Sequence, residues 1–173
     1  MATTLPPSTP EASPLSPWWL RSIVIVMVFG IAILIVITVL GYRKAPPIPG
    51  RVVDAQGQLL FSGADISAGQ GVFLKYGLMD NGSIWGHGAY LGPDYSAEAL
   101  HRIGEDTAAA IATAQYGKPL AELDAQQQAG VHAETAVALK TNRYDADTGV
   151  LQLTAPEAVA YRQQIAHWTN YFK

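Results

Sequence analysis

Tyr76-Gly-Leu-Met-Asp-Asn-Gly-Ser-Ile-Trp-Gly-His-Gly-Ala-Tyr-Leu-Gly-Pro-Asp94 is the stretch around which this chain is organised. Gly77, Gly82, Gly86, Gly88 and Gly92 deny it a long helix or strand, since glycine loses the most backbone freedom on ordering. Ile84, Trp85, Tyr90 and Leu91 are interleaved with them, and solvated linkers avoid such residues. A glycine-rich coil carrying aromatics is held by packing, with its backbone close to something else. Two readings follow: an ordered loop capping its own domain, or a loop that docks on a partner or ligand.

Outside this loop the chain divides by composition. Residues 1–17 are rich in Pro, Ser, Thr and Ala and read as a disordered tail, too poor in apolar surface to offset ordering entropy. Residues 23–40 carry no charge. With Trp18, Trp19 and Tyr42 as flanking interfacial aromatics, residues 18–42 have the length and hydropathy of a transmembrane helix. The β-branched content would favour strand in water, but lipid requires a backbone satisfied within the segment and selects helix. The apolar run exceeds the core of a cleaved signal peptide, and no small-x-small cleavage site follows it. Arg21 precedes the span and Arg43, Lys44 and Arg51 follow it, so basic residues alone would place the C-terminal part in the cytoplasm.

Residues 43–50, with Pro46, Pro47 and Pro49, form a stiff extended spacer. Residues 51–173 then form one domain, mainly α with short β-hairpins. Two hairpins are expected, one turning at Asp54-Ala-Gln-Gly57 and one at Asp147-Thr-Gly149. Four helices are expected. The first covers residues 65–76, with Ile66, Gly69, Val72, Phe73 and Tyr76 at helical spacing. The second runs to about Tyr116 from an N-cap at Ser96, with Leu100, Ile103, Ala110, Ile111 and Ala114 inward and His101–Glu105 and Arg102–Asp106 as solvated pairs. The third covers residues 124–140 and makes contact through Ala133 and Val137. The last opens on a Thr154-Ala-Pro-Glu157 capping box and buries Ala158, Tyr161, Ile165 and Trp168.

The chemistry-bearing residues are sparse. The chain has no cysteine, which removes disulfides, thiolate metal sites and covalent haem attachment through Cys-x-x-Cys-His. A net charge of −3 gives no basic excess for nucleic acid. His87, His101, His132 and His167 share no local metal spacing, and there is no phosphate loop or nucleophile elbow. Asp145 and Asp147 alternate like calcium ligands, but the Gly and distal Glu of a helix-loop-helix site are missing, so the pair reads as turn chemistry. From the residues alone this is a membrane-tethered, mostly helical domain without an active site of its own.

Gly69-Gln-Gly-Val-Phe-Leu-Lys-Tyr-Gly-Leu-Met-Asp-Asn-Gly-Ser-Ile-Trp-Gly-His-Gly-Ala-Tyr-Leu-Gly-Pro-Asp94 resembles the N-terminal portion of the quinol-dependent nitric oxide reductases. The likeness extends through Ala45-Pro-Pro-Ile-Pro49, Val53-Asp54 and Leu100-His101-Arg102. In that family one membrane helix and a periplasmic domain precede a haem–copper-oxidase-like bundle that reduces nitric oxide to nitrous oxide in denitrification. The leading segment is similar to the small cytochrome c subunit of the cytochrome-dependent enzymes. The resemblance places that subunit's haem-binding cysteines at Leu78 and Asn81 and its haem-ligating histidine at Gly82, and none of the three can serve.

It therefore implies a cytochrome c-like fold lacking haem, its pocket empty or filled in, in the bacterial inner membrane with a cytoplasmic tail and a periplasmic C-terminal domain. The implied partner is a multi-span catalytic subunit holding haem b, high-spin haem and non-haem iron and drawing electrons from quinol. The same resemblance implies that Gly88 and Tyr90 lend backbone carbonyls to a bridging calcium shared with that partner. His87 stands where the relatives carry glutamate and, with Trp85 and Leu91, would face the partner. Family members continue into the catalytic bundle and this chain stops at Lys173, so it is either a separate small subunit or part of a longer reductase. A relative that dismutates nitric oxide would share the segment. A tethered periplasmic binding module is the other expectation.

Overall fold

The computed structural model describes residues 16–173, which fall in two compact units divided between Pro47 and Ile48. Most of the expected tail lies outside the described residues. Its last residue does not, because Pro17 opens a helix.

In the first unit, helix α1 (Pro17–Arg43) begins where Ser16 accepts a hydrogen bond from the Trp18 amide and Pro17 supplies a preset φ. Its 27 residues extend about 40 Å at 1.5 Å per residue, more than the hydrocarbon thickness of a bilayer. A mean hydropathy of 3.4 over its most apolar window makes it long and apolar enough to cross a membrane. None of its side chains is buried.

The second unit, Ile48–Lys173, joins four helices to a small sheet. Strands β1 (Arg51–Val53) and β2 (Leu59–Ser62) form the first hairpin, and β5 (Tyr144–Asp145) and β6 (Val150–Gln152) the second. The hairpins do not lean on the helices separately, as two isolated ribbons would. Parallel pairing of β1 with β6 fuses them into one sheet of order β2-β1-β6-β5. That pairing joins residues roughly a hundred positions apart, so no local signal announces it. It buries Val52 completely, and Asp54 organises the first turn by accepting from the amides of Gln56 and Gln58 at 3.0 and 2.9 Å.

Helix α2 (Gly63–Lys75) starts on a reciprocal cap between Ser62 and Asp65, α4 (Ala125–Lys140) on one between Asp124 and Gln127, and α5 (Ala155–Tyr171) on the expected Thr154–Glu157 box. Helix α3 (Tyr95–Tyr116) is capped by Asp94, which accepts from the Ala97 amide at 2.9 Å. The expected cap, Ser96, lies inside the helix and its hydroxyl accepts instead from Trp85 N at 3.2 Å.

Helix α3 packs against α4 and α5. Ala108, Ile111 and Ala112 of α3 meet Leu123 and the α4 residue Val131, while Ala158 and Ala160 of α5 are also buried. Small residues let the helix axes come close, and Ile111 and Val131, fully buried, each contribute about 2 kcal/mol of apolar burial.

Several expected inward residues point outward. Leu100 and Ala114 of α3, Ala133 and Val137 of α4, and Ile165 of α5 are exposed, as are Val72 of α2 and its C-cap Tyr76. In α4 the buried face runs instead through Val131 and Thr135, and Thr135 tolerates burial because its hydroxyl donates to the Val131 carbonyl at 2.8 Å. Arg102 pairs back to Glu98 at 2.5 Å instead of forward to Asp106, which accepts from Gln164 of α5 at 2.7 Å. The His101–Glu105 pair is exposed, as expected, at 3.2 Å. The architecture is the expected one: mainly α, with one N-terminal apolar helix and a helical domain carrying short strands and no cysteine for haem attachment.

Candidate functional site

Residues 76–94 form a compact, tightly tied loop between α2 and α3. Gly77, at φ +59, ends α2, and a single 3-10 turn, Leu78–Asp80, follows. Strands β3 (Ser83–Ile84) and β4 (His87–Gly88) then pair across a two-residue turn. Both turn residues have positive φ, Trp85 at +53° and Gly86 at +75°. Such turns match the twist of paired strands, but Asn-Gly is their favoured sequence. Among the described residues Trp85 is the only non-glycine at positive φ. For a bulky residue that conformation costs on the order of 1 kcal/mol or more.

One carboxylate holds the loop. Asp94 accepts from Ser83 Oγ at 2.7 Å and Gly86 N at 2.6 Å with one oxygen, and from Ala97 N with the other. The Gly86 amide, followed by Ala97 N and the Ser83 hydroxyl, lowers its pKa from 3.8 to about 2. Asp94 thus fixes the hairpin tip and the start of α3 together.

Backbone runs against backbone elsewhere in the loop. A Cβ at Gly88 would lie 2.3 Å from the Gly82 carbonyl oxygen, and one at Gly92 would lie 2.1 Å from that of Asn81. The Ala89 amide donates to Met79 O at 2.8 Å. This internal framework leaves the larger side chains outside: Trp85 is 71%, Tyr90 93% and Leu91 87% exposed. His87 and Gly88 are exposed beside them. The loop is rigidly built, as the reading of an ordered loop requires, and it holds Trp85, Tyr90 and Leu91 out in solvent. Among the described residues no hydrogen bond of the loops and caps, and none from a side chain, reaches the carbonyl of Gly88 or Tyr90.

The three positions that the resemblance equates with a haem attachment site differ in their surroundings. Leu78 is half-buried, Asn81 exposed and Gly82 buried. A Cβ at Gly82 would fall 2.7 Å from the Tyr95 ring and 2.5 Å from the Pro93 oxygen, so no histidine fits there. Tyr95 is the hub of an aromatic cluster, with ring centroids 6.0 Å from Phe73, 5.9 Å from Trp168, 6.3 Å from Tyr171 and 5.9 Å from Phe172. Burial first, and then the nearby Tyr171, raises the pKa of its hydroxyl. With no cysteine in the chain and this ring against Gly82, the residues present do not fit a c-type haem.

Sequence reasoning missed both Asp94 and Tyr95. Asp94 was hidden by Ser96, an equally good capping type two residues on. Tyr95 carries no signal of its own until the fold brings five rings together. Among the described residues no three His, Cys, Asp or Glu side chains converge on a metal position.

The family model for the NorB cytochrome c-like domain of nitric oxide reductase matches residues 49–173. No curated protein matches the chain. The matched range takes in the sheet, all four helices of the second unit and the glycine loop, and by it the chain belongs to the NorB cytochrome c-like domain family of the nitric oxide reductases.

Proposed function

We propose that this chain is the non-catalytic, membrane-anchored part of a quinol-dependent nitric oxide reductase, and that its glycine loop covers the haem propionate side of the catalytic bundle. The observation that carries the reading is the loop's construction: a backbone pinned by Asp94 and by close glycine contacts, with Trp85, Tyr90 and Leu91 held out in solvent. A rigid apolar surface gains more on docking than a floppy one, because little ordering entropy remains to be lost. Family membership favours the partner class, a multi-span catalytic chain with haem b, high-spin haem and non-haem iron.

In this reading α1 lies in the bacterial inner membrane with residues 1–17 cytoplasmic, and the Pro-rich stretch 43–50 leads to a periplasmic domain, residues 51–173. Trp85 and Leu91 pack on the partner, and His87 hydrogen-bonds across the interface. Gly88 and Tyr90 offer carbonyl oxygens, the donor type a hard cation prefers, to a calcium completed by the partner and by haem propionates. Two carbonyls alone are too few for such an ion, so a complete site needs the partner. Nitric oxide reduction, with electrons from quinol, takes place on the partner's metals. This chain contributes cover, orientation and the exclusion of water.

The test is affinity capture of the full-length chain from its native membrane. A co-purifying multi-span protein with b-type haem absorption is expected, and its absence would overturn the proposal. The double variant Tyr90→Ala, Leu91→Ala is expected to reduce the captured haem at least tenfold, while His101→Ala, on the exposed face of α3, leaves it unchanged. Equal losses from both would reject the loop as the docking element.

A further inference from the structure

Helix α5 packs along α3, and one histidine at their seam is left unmatched. His167 Nε2 is buried and has no hydrogen-bond partner. Its ring stands edge-on to Trp168 at 4.9 Å and tilted to Tyr171 at 6.3 Å. Facing Nε2 at 4.0 Å is Oε1 of Glu98, in the first turn of α3. That separation is too long for a hydrogen bond, and a buried nitrogen without a partner is costly.

The seam lies at the foot of the glycine loop. The Glu98 amide donates to Asp94 O at 2.9 Å, one turn from the carboxylate that anchors the loop. Tyr95, beside Asp94, packs on Trp168 and Tyr171 at 5.9 and 6.3 Å. The charged and titratable groups around the imidazole are therefore Glu98, Arg102 and Tyr95 of α3 and Tyr171 of α5. Arg102 donates to Glu98 Oε1 at 2.5 Å and opposes a second positive charge, but a carboxylate has acceptor sites for both cations. Phenols titrate near 10, so between pH 5 and 8 the imidazole is the group that changes charge.

We infer that His167 and Glu98 form a proton-operated clamp between α5 and α3. Charging the ring places a proton on Nε2 and adds ion-pair attraction, and a movement of about 1 Å closes the gap to hydrogen-bond distance. The His167 side chain is 26% exposed and that of Glu98 32%, so solvent can deliver the proton without stranding the charge. The stabilisation belongs to the imidazolium: it is present on the acid side and lost as pH rises through the imidazole titration. The contact lies inside the domain, so the inference holds whether or not the loop docks.

The test is a double-variant cycle on the full chain in non-ionic detergent, with urea unfolding of the second unit followed at about pH 5.5 and about pH 8. His167→Gln and Glu98→Gln each keep a polar side chain and remove one charge. Their coupling should be about fivefold in the unfolding constant at the lower pH and vanish at the higher. Titration of the other three histidines is common to all four proteins and cancels in the cycle. No coupling at the lower pH, or equal coupling at both, overturns the clamp. Wild type alone supplies a second readout through nitrogen-15 labelled histidine. At the lower pH the His167 Nε2 proton should exchange with water at least about tenfold more slowly than that of the exposed His101. Equal exchange rates would also overturn the clamp.

Discussion

Two of the chain's three short hairpins are built to opposite ends. The one at Asp145–Val150 is self-contained: Asp145 accepts from the Asp147 amide and the Thr148 hydroxyl, Gly149 takes φ +67, and the tip is small and polar. The one at Ile84–His87 places a tryptophan at φ +53 and exposes it. Each is anchored by one charged side chain. Arg143 ties the first to the buried Glu157 and to the carbonyls of Ala138 and Gln152, whereas Asp94 ties the second to α3 through exposed amides. A turn that only has to turn chooses residues that satisfy themselves locally. A turn that accepts strain and leaves its largest side chain uncovered suits the docking role proposed above.

That contrast can be broken or sharpened by substitution. The largest effect is expected at the buried anchor. Arg143→Ala leaves Glu157 without its counter-charge and should cost about 3 kcal/mol in chemical denaturation. A loss under about 1 kcal/mol would mean that the Thr154 cap alone satisfies the carboxylate.

Next comes Gly88→Ala. It adds a Cβ 2.3 Å from the Gly82 oxygen at φ +142, and about 2 kcal/mol should be lost, with the loop's amides exchanging faster than those of the sheet. Ala at Gly57, also at positive φ but with open space around it, is the control for backbone strain alone.

Trp85→Asn should act with the opposite sign. Asparagine tolerates positive φ, so the isolated chain should gain about 1 kcal/mol while capture of the haem-bearing partner weakens. A variant less stable than wild type would show that Trp85 serves its own domain.

The smallest effect is confined to the loop. Asp94 is depressed in the folded state, from 3.8 to about 2, so its contribution is present above pH 3.8 and lost as pH falls from there through 2. Exchange at the Gly86 and Ala97 amides should accelerate across that window, and Asp94→Asn should remove the pH dependence. Exchange at Gln152, in the sheet, should not follow it.

The fold was legible where its determinants are local. The apolar run of α1, the Thr154–Glu157 box and the glycine turns at Gly57 and Gly149 all read directly from neighbouring residues. The sheet was not, because three helices separate β1 from β6 along the chain. The inner face of α4 was misjudged because alanines lie all round that helix, and the choice between Val131 and Val137 is made by what packs on it. In the loop, glycine and aromatic content foretold order and exposure. The carboxylate that secures it competes in sequence with a nearby serine, and only coordinates distinguish the two.

The ring of Tyr95 beneath Gly82 has a corollary. Placing two thiols at positions 78 and 81 and an imidazole at 82 would not create a porphyrin site, since the imidazole meets an occupied volume. Tyr95 would have to shrink first, and shrinking it opens a hole among Phe73, Trp168, Tyr171 and Phe172 before any new ligand can fill it. Enlarging Gly82 or shrinking Tyr95 alone is therefore downhill in stability, and only a concerted change of both makes room for an imidazole.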